Sequence, residues 1–214
     1  MPRGGNPPLS ELAVLGEGSL LAISGIGGIA AAAAAQALVD AGASALMTFG
    51  MAGGLDPALK PGSVVIPCEL LSSEGARYAA SRAWREQVAA AVSPLRAVTE
   101  GNLLTSTHAI DTPADKAAAF RNTGAAAVDM ESAAVAKIAA QHNLPFIAVR
   151  VIVDTAADML PRAVVAASRA GRVQLARLIG GLILAPREIA SLVRLAQRYR
   201  IAMRSLRVIG AHLA

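Results

Sequence analysis

Three carboxylates lie where predicted strands end, and they are the residues most clearly able to take part in a chemical reaction. Asp129 and Glu131 bracket Met130 in AVDMES, where a short apolar run meets a helical pattern. Asp154 closes the apolar segment FIAVRVIVD. A carboxylate in such a position lies beside low-dielectric walls, which raise its pKa toward the range of a general acid. The alternative is that Asp154, or Asp158, caps a following helix.

A glycine-rich stretch, SGIGGIA, offers a second kind of chemistry. Gly25, Gly27 and Ala30 match the G-x-G-x-x-A pattern, which brings backbone amides close to a phosphate at a helix N-terminus. A dinucleotide site also needs an acid near the end of the next strand. The segment ALMTFGMAGG has none, which disfavours NAD and FAD. A tight structural turn and a small anion or ribose site both stay open.

A second glycine cluster, TFGMAGG, follows the next predicted strand and contains Gly50, Gly53 and Gly54. These glycines let the chain pass close to a ligand in the crevice where open α/β sheets bind. The alternative is a strained loop without a ligand.

The elements that must hold these residues follow from hydrophobic periodicity and turn signals. An apolar run from residue 19, the glycine loop, a helix that ends at Gly42 and the run ALMTF predict a βαβ unit. Pro61 and Gly62 suit a type II turn before a strand over residues 63–66.

The rest of the chain continues this alternation. Helices are predicted for RYAASRAWREQVAAAV, TPADKAAAFRNTG and ESAAVAKIAAQHN, and strands for AVTEGNLLTST, AAAVDM and LPFIAVRVIVD. Thr112, Pro113 and Asp115 form a capping box at the start of one helix. Helices with breaks at Gly180-Gly181 and Pro186 are expected from there to the C-terminus. The pattern predicts a three-layer α/β/α sandwich with a mixed, mostly parallel central sheet.

Length and composition set the wider frame. The 214 residues suit a single domain, assigned to residues 19–214 behind a poorly specified segment, residues 1–18. The lone Cys68 fits a reducing compartment, and MPRGGNPPLSEL lacks the apolar core of a secretory signal, so a cytoplasmic location is expected. Residues 19–39 carry no charge, but SGIGG interrupts them and alanine is weakly apolar, which argues against a membrane span.

The basic charge is confined to the C-terminal part. Residues 1–160 hold 10 Lys+Arg and 14 Asp+Glu, net −4, whereas residues 161–214 hold 10 Arg and only Glu188, net +9. Few aromatic residues interleave with these arginines, so no nucleic-acid partner is expected. The stretch SLVRLAQRYRIAMRSLRVIG predicts an amphipathic helix whose cationic face suits peripheral contact with the inner face of an anionic membrane. The alternative is that its apolar face packs on the sheet or on a second subunit.

These motifs, in this order, resemble the nucleoside phosphorylase and nucleosidase superfamily, which includes methylthioadenosine/S-adenosylhomocysteine nucleosidase. The resemblance rests on SGIG, GMAGGLDPALKPGSVVIP and AVDMESAAVAKIAAQHNLPFIAVRVIVD and covers roughly residues 20–160. The DMES form, the continuation DTAADMLPRAV and the arginine-rich tail look most like the hopanoid-associated phosphorylase branch. That resemblance implies cleavage of the N-glycosidic bond of an adenine nucleoside, either adenosylhopane or another small or lipid-linked substrate.

The resemblance also implies catalytic roles. Glu131 grips the ribose hydroxyls and Met130 packs on the sugar, while Asp129 is a structural partner. Asp154 protonates or hydrogen-bonds purine N7, so that adenine leaves as a neutral base. A carboxylate on the hydroxyls holds the sugar and tolerates the positive charge that it develops.

Further residues match family positions around the substrate. Ser24, Gly25 and Ile26 lie near the ribose and the attacking water or phosphate, Gly53 flanks base and sugar, and Ile110 and Val128 hold the purine. His108 is assigned to the surface or a polar network, and His142 and His212 to solvent. The resemblance implies no metal or redox cofactor, and a homodimer is expected.

The sequence departs from the family at its start. No strand is evident before Glu11, so either Glu11 activates the attacking water or that base is absent. The phosphate-binding arginine is not evident either, since Thr48 and Met51 occupy TFGMAGG. Phosphorolysis, with inorganic phosphate as co-substrate, and hydrolysis both stay open. Methylthioadenosine/S-adenosylhomocysteine nucleosidase, purine nucleoside phosphorylase and a non-catalytic nucleoside-binding protein are the alternative functions.

Overall fold

The computed structural model describes residues 12–15, 18–161, 165 and 189–213. Glu11, Gly180-Gly181 and Pro186 lie outside the described residues. The strands are β1 Leu12–Leu15, β2 Ser19–Ala22, β3 Leu46–Gly54, β4 Val64–Val65, β5 Glu69–Ser72, β6 Arg77–Ala79, β7 Val98–Thr99, β8 Asn102–Thr105, β9 Ala125–Asp129 and β10 Phe146–Asp154. The helices are α1 Gly28–Asp40, α2 Arg82–Val92, α3 Pro113–Thr123, α4 Ser132–Gln141 and α5 Ile189–Leu213.

Eight strands form one mixed sheet in the order β6-β5-β8-β9-β3-β10-β4-β7. The pairs β3/β10, β5/β8, β8/β9 and β4/β7 are parallel. The pairs β3/β9, β4/β10 and β5/β6 are antiparallel. The two longest strands, β3 and β10, lie side by side near the centre, so the predicted mixed sheet is confirmed.

Helices cover both faces of the sheet, as the alternation along β10 makes clear. Phe146, Ala148 and Ile152 pack in one core with residues of α1 and α4. Ile147, Val149 and Val151 point the other way and pack with α2 and α5, as expected for a strand buried on both faces. Helix α3 lies on this second face, because its core uses Leu71 and Leu104 while the α4 side uses Leu70 and Leu103. The three-layer prediction is confirmed.

The predicted βαβ unit is wrong in one respect. Strand β2 does not join the main sheet but pairs antiparallel with β1 in a separate two-stranded hairpin, which begins inside the segment taken as poorly specified. Strand β3 has no edge left for it, because β9 and β10 occupy both sides. Pairing with the neighbouring β1 closes only a short loop, so its entropic cost is small.

The helix predicted over RYAASRAWREQVAAAV is also only partly right. Residues 77–79 form β6, an antiparallel edge strand paired with β5, and α2 begins at Arg82. A tight turn at Gly75, φ 91°, brings these residues against β5, and the ladder hydrogen bonds override the local helical pattern.

Local signals placed several boundaries correctly. Thr112 Oγ1 accepts a hydrogen bond from the Asp115 amide at 3.1 Å, which confirms Thr112 as the N-cap of α3, and the Thr112 hydroxyl bonds to Asp115 Oδ2 at 2.6 Å. Gly42 follows α1 with φ 92°, and Gly62, φ 89°, closes the turn in which the Ser63 amide donates to the Lys60 carbonyl at 3.0 Å. Strand β3 runs further than the predicted ALMTF, so that Gly50, Gly53 and Gly54 lie within the strand rather than in a loop after it.

The C-terminal helix packs by its apolar face. Ala202 and Ile209 of α5 are buried against β10, and Ser205 accepts a hydrogen bond from Arg96 at 2.9 Å. This is the alternative in which the apolar face packs on the sheet. Within the described part of the chain, no helix combines the length and apolar character needed to cross a bilayer.

Candidate active site

Asp154 reaches its place through a β-bulge at the end of β10. Two residues of β10, Val153 and Asp154, lie opposite Gly53 of β3, so the register shifts by one. Without that shift Asp154 would share the α4 face with Ile152, because side chains two apart in a strand point the same way. Instead its carboxylate contacts the ammonium of Lys116 on α3. The bulge therefore turns the acid to the other side of the sheet.

The surroundings of Asp154 are closely packed. Gly53 faces the carboxylate so tightly that a methyl group there would lie 3.2 Å from Oδ2 and 3.4 Å from Val128 Cγ1. Val128 belongs to a small core that Ile110 also joins. The structure thus brings together Asp154, Gly53, Val128 and Ile110, which sequence analysis assigned to the purine.

Burial raises the pKa of the Asp154 carboxyl, as expected at the end of an apolar strand, and Lys116 opposes part of that rise. Asp158 behaves differently. Burial also disfavours its charge, but hydrogen bonds from Arg198 and Thr155 outweigh this and hold the pKa of Asp158 below its usual value. Asp158 closes a turn with Thr155 and contacts the Arg198 guanidinium of α5.

Glu131 is tied to the glycine loop. The Gly27 amide donates to Glu131 Oε1 at 2.8 Å, and the Met130 amide to Oε2 at 3.2 Å. Gly27 has φ 97°, a conformation that favours glycine. The carboxylate therefore occupies the N-terminus of α1, where sequence analysis left open a small anion site. The segment with Ser24, Gly25 and Ile26 leads directly into this contact.

A buried polar network anchors the start of α4, just after β9. Arg150 donates to Asp129 Oδ2 from Nε at 2.8 Å and to Ser132 Oγ from Nη2 at 2.7 Å. Thr105 donates its hydroxyl hydrogen to Asp129 Oδ1 at 2.7 Å. The Ser132 amide, the first of α4, donates to the Asp129 carboxylate at 3.2 Å. Asp129 is therefore the structural partner that the resemblance implied, while Glu131, two residues later, faces the loop.

Two residues that matter here were missed in the sequence. Arg150 lies in the middle of the strand taken as wholly apolar, and Lys116 lies on the buried face of α3. A cation within an apolar strand or on the apolar face of a helix was the available signal, since buried charges need a partner. Gly50 makes room for Arg150, because a methyl group there would lie 2.5 Å from Nη1.

The other residues considered in the sequence are Glu11 and the three histidines. Glu11 lies outside the described residues, so its role stays a prediction. His108 is exposed, and its ring Nδ1 lies 2.9 Å from the hydroxyl of its neighbour Thr107. His142 and His212 are exposed as expected.

A cavity of about 320 Å³ lies elsewhere, at the amino end of β10. Its lining includes Tyr78, Ala136, Leu144 and Phe146, with Arg77 as the charged member. The nine residues of β10 separate it from Asp154 by about 26 Å along the strand. It is therefore not part of the site built around Asp154 and Glu131.

An eight-stranded mixed sheet between two helical layers, with acids at the ends of β9 and β10, defines an α/β/α protein of the nucleoside phosphorylase fold class. The chain belongs to the phosphorylase superfamily, whose family model matches residues 12–184. The family predicted from the sequence, a family of enzymes, is therefore confirmed.

Solved structures share this fold. A 5'-methylthioadenosine/S-adenosylhomocysteine nucleosidase from Neisseria meningitidis, in complex with methylthio-immucillin-A, is 24% identical with a TM-score of 0.62, over 80% of this chain and 89% of that one. The Campylobacter jejuni 5'-methylthioadenosine/S-adenosylhomocysteine nucleosidase is 19% identical with a TM-score of 0.62, over 77% and 78%. The futalosine hydrolase of Helicobacter pylori is 17% identical with a TM-score of 0.60, over 81% and 88%.

Proposed function

We propose that the protein cleaves the N-glycosidic bond of an adenine nucleoside. The observation that carries this proposal is the buried acid Asp154, which lies at the same end of the sheet as Val128. Val128 in turn precedes the carboxylate of Glu131 by three residues. The family, and the structural relatives named as 5'-methylthioadenosine/S-adenosylhomocysteine nucleosidases, support the same reaction class.

In this reaction Asp154 acts on the base. A carboxyl with a raised pKa gives a proton to purine N7 as the bond to C1' lengthens, so that adenine leaves neutral. Val128 and Ile110 pack against the purine, and Gly53 leaves room for the acid beside it.

Glu131 acts on the sugar. Its carboxylate accepts hydrogen bonds from the ribose hydroxyls, with Met130 against the ring and the Ser24, Gly25 and Ile26 segment close by. A fixed negative charge stabilises the oxocarbenium character that develops at the sugar. Glu11 remains the proposed base for water, and the reaction needs neither a metal nor a redox cofactor.

The decisive experiment measures adenine release by the full chain from methylthioadenosine, S-adenosylhomocysteine, adenosine and adenosylhopane, with and without phosphate. Release that requires phosphate indicates phosphorolysis, and release without it indicates hydrolysis. Binding without release from any of the four substrates identifies a nucleoside-binding protein and overturns the proposal.

We further propose that the substrate is lipid-linked, as in adenosylhopane, and that the enzyme works at the cytoplasmic side of a membrane. Arg200, Arg204 and Arg207 support this proposal, because they form one exposed stripe on α5 opposite the buried Ala202 and Ile209. Each arginine near an anionic surface contributes on the order of 1 kcal/mol.

Co-sedimentation with vesicles of phosphatidylglycerol and phosphatidylcholine tests the membrane contact. Binding is expected at low salt, with loss at high salt and weakening by Arg200→Glu with Arg204→Glu. The matched control is Arg77→Glu with Lys137→Glu, which makes the same charge change on the α4 side of the sheet. Equal weakening by both pairs, or no binding at any salt, removes the membrane proposal and leaves the chemistry intact.

We also propose that the protein forms a homodimer. Ile23 and Ile29, next to the glycine loop, are 76% and 83% exposed, and a second copy would cover them. Sedimentation equilibrium gives the oligomeric state directly.

A further inference from the structure

Lys116 is a fully buried cation that no step above uses. Its side chain is 0% exposed, and its ammonium reaches from α3 to Asp154 and the loop that follows β10. Taking an ammonium out of water costs several kcal/mol unless its hydrogens are well satisfied. A leucine or methionine would fill the same space without that cost, so the reason for a lysine must lie in what its ammonium contacts.

The ammonium has three hydrogens and three acceptors. It contacts Oδ2 of Asp154, the Thr155 carbonyl at 2.8 Å and the Asp158 carbonyl at 3.1 Å. A neutral amine has only two hydrogens and would leave one acceptor unpaired. The loop that follows β10 is thus built around a charged Lys116.

This contact makes the two oxygens of Asp154 unequal. Oδ2 is held by Lys116, whereas no donor among the described residues reaches Oδ1. A methyl group at Gly53 would lie 3.2 Å from Oδ2 and 3.4 Å from Oδ1, so the carboxylate faces this glycine directly.

We infer that Lys116 is a positioning residue for Asp154. The Lys116 ammonium holds Oδ2 of Asp154, so that Oδ1 is presented to the base. The inference rests on the proposed role of Asp154 as the acid. Two other charged groups face this acid, Asp158 from the loop and Arg198 from α5. They form an ion pair with each other, and their effects on the pKa of Asp154 are opposite, since Asp158 raises it and Arg198 lowers it. Lys116 is therefore the cation that determines both the orientation of the acid and how far burial raises its pKa.

The test is Lys116→Met, a substitution close in volume, with Lys137→Met as the matched control on the exposed face of α4. We expect kcat to fall about tenfold to a hundredfold, because a misplaced catalytic group costs that much. The alkaline limb of the pH profile of kcat/KM should move up by about one unit or more, since Asp154 loses an opposite charge. The control should leave the rate and the limb unchanged.

A lysine with a merely structural role would lower activity without moving the alkaline limb, and that result would overturn the inference. If wild type releases no adenine from any substrate, the proposed function fails, and stability then tests the pairing. Burial already raises the pKa of Asp154 in the folded protein, and without Lys116 that pKa rises further, so Lys116→Met should lose more stability than wild type as pH rises from 5 to 8. Adding Asp154→Asn should abolish that pH dependence. Lys116 would act through packing instead if the double variant were unfolded, or if the stability of Lys116→Met had the same pH dependence as that of wild type.

Discussion

Replacing Arg150 by methionine is expected to lower the free energy of unfolding far more than replacing any surface arginine. Arg150 and Asp129 are each 5% exposed, so the substitution leaves a carboxylate buried without its counter-charge. Breaking a buried ion pair from one side costs about 3–5 kcal/mol. The Thr105 hydroxyl and the Ser132 amide still donate to Asp129, so we expect the lower end of that range, about 3 kcal/mol. For a domain of this size that corresponds to about 6–12 °C in Tm.

Urea denaturation followed by far-UV circular dichroism measures this loss. The matched control is Arg77→Met, because Arg77 makes an ion pair with Glu69 while its own side chain is 64% exposed. That change should cost less than about 1 kcal/mol. The double variant Asp129→Asn with Arg150→Met should recover part of the loss, because it removes the unpaired charge. A loss for Arg150→Met no larger than that for Arg77→Met would refute the assignment of this network as the anchor of α4.

Three further predictions concern catalysis. Asp154→Asn should lower kcat by roughly 10² to 10⁴ while substrate still binds, and near-normal turnover would exclude Asp154 as the acid. Glu131→Gln should slow cleavage of ribosides more than of 2'-deoxyribosides, because the lost contact is to a hydroxyl, so equal losses on both would exclude that role. Gly53→Ala places a methyl group 3.2 Å from Asp154 Oδ2 and should lower kcat about tenfold. The control Gly210→Ala meets Phe49 at an ordinary 3.5 Å and should leave kcat unchanged.

The sequence by itself determined the features that depend on a few neighbouring residues. Local backbone energetics decide the N-cap at Thr112, the left-handed glycine after α1 at Gly42 and the turn at Gly62. The same holds for the position of Asp154 at the end of a buried strand, because an apolar run bounded by a charge specifies both the strand and its end.

Only the tertiary structure decided which charges meet. Gly27 and Glu131 are 104 residues apart, and Lys116 and Asp154 are 38 apart, so no periodicity in the sequence records either contact. The bulge at the end of β10 reverses the face that alternation alone would give to Asp154, because it adds one residue against Gly53. Strand β2 pairs with β1 for a related reason: the edges of β3 are filled by strands that come much later in the chain.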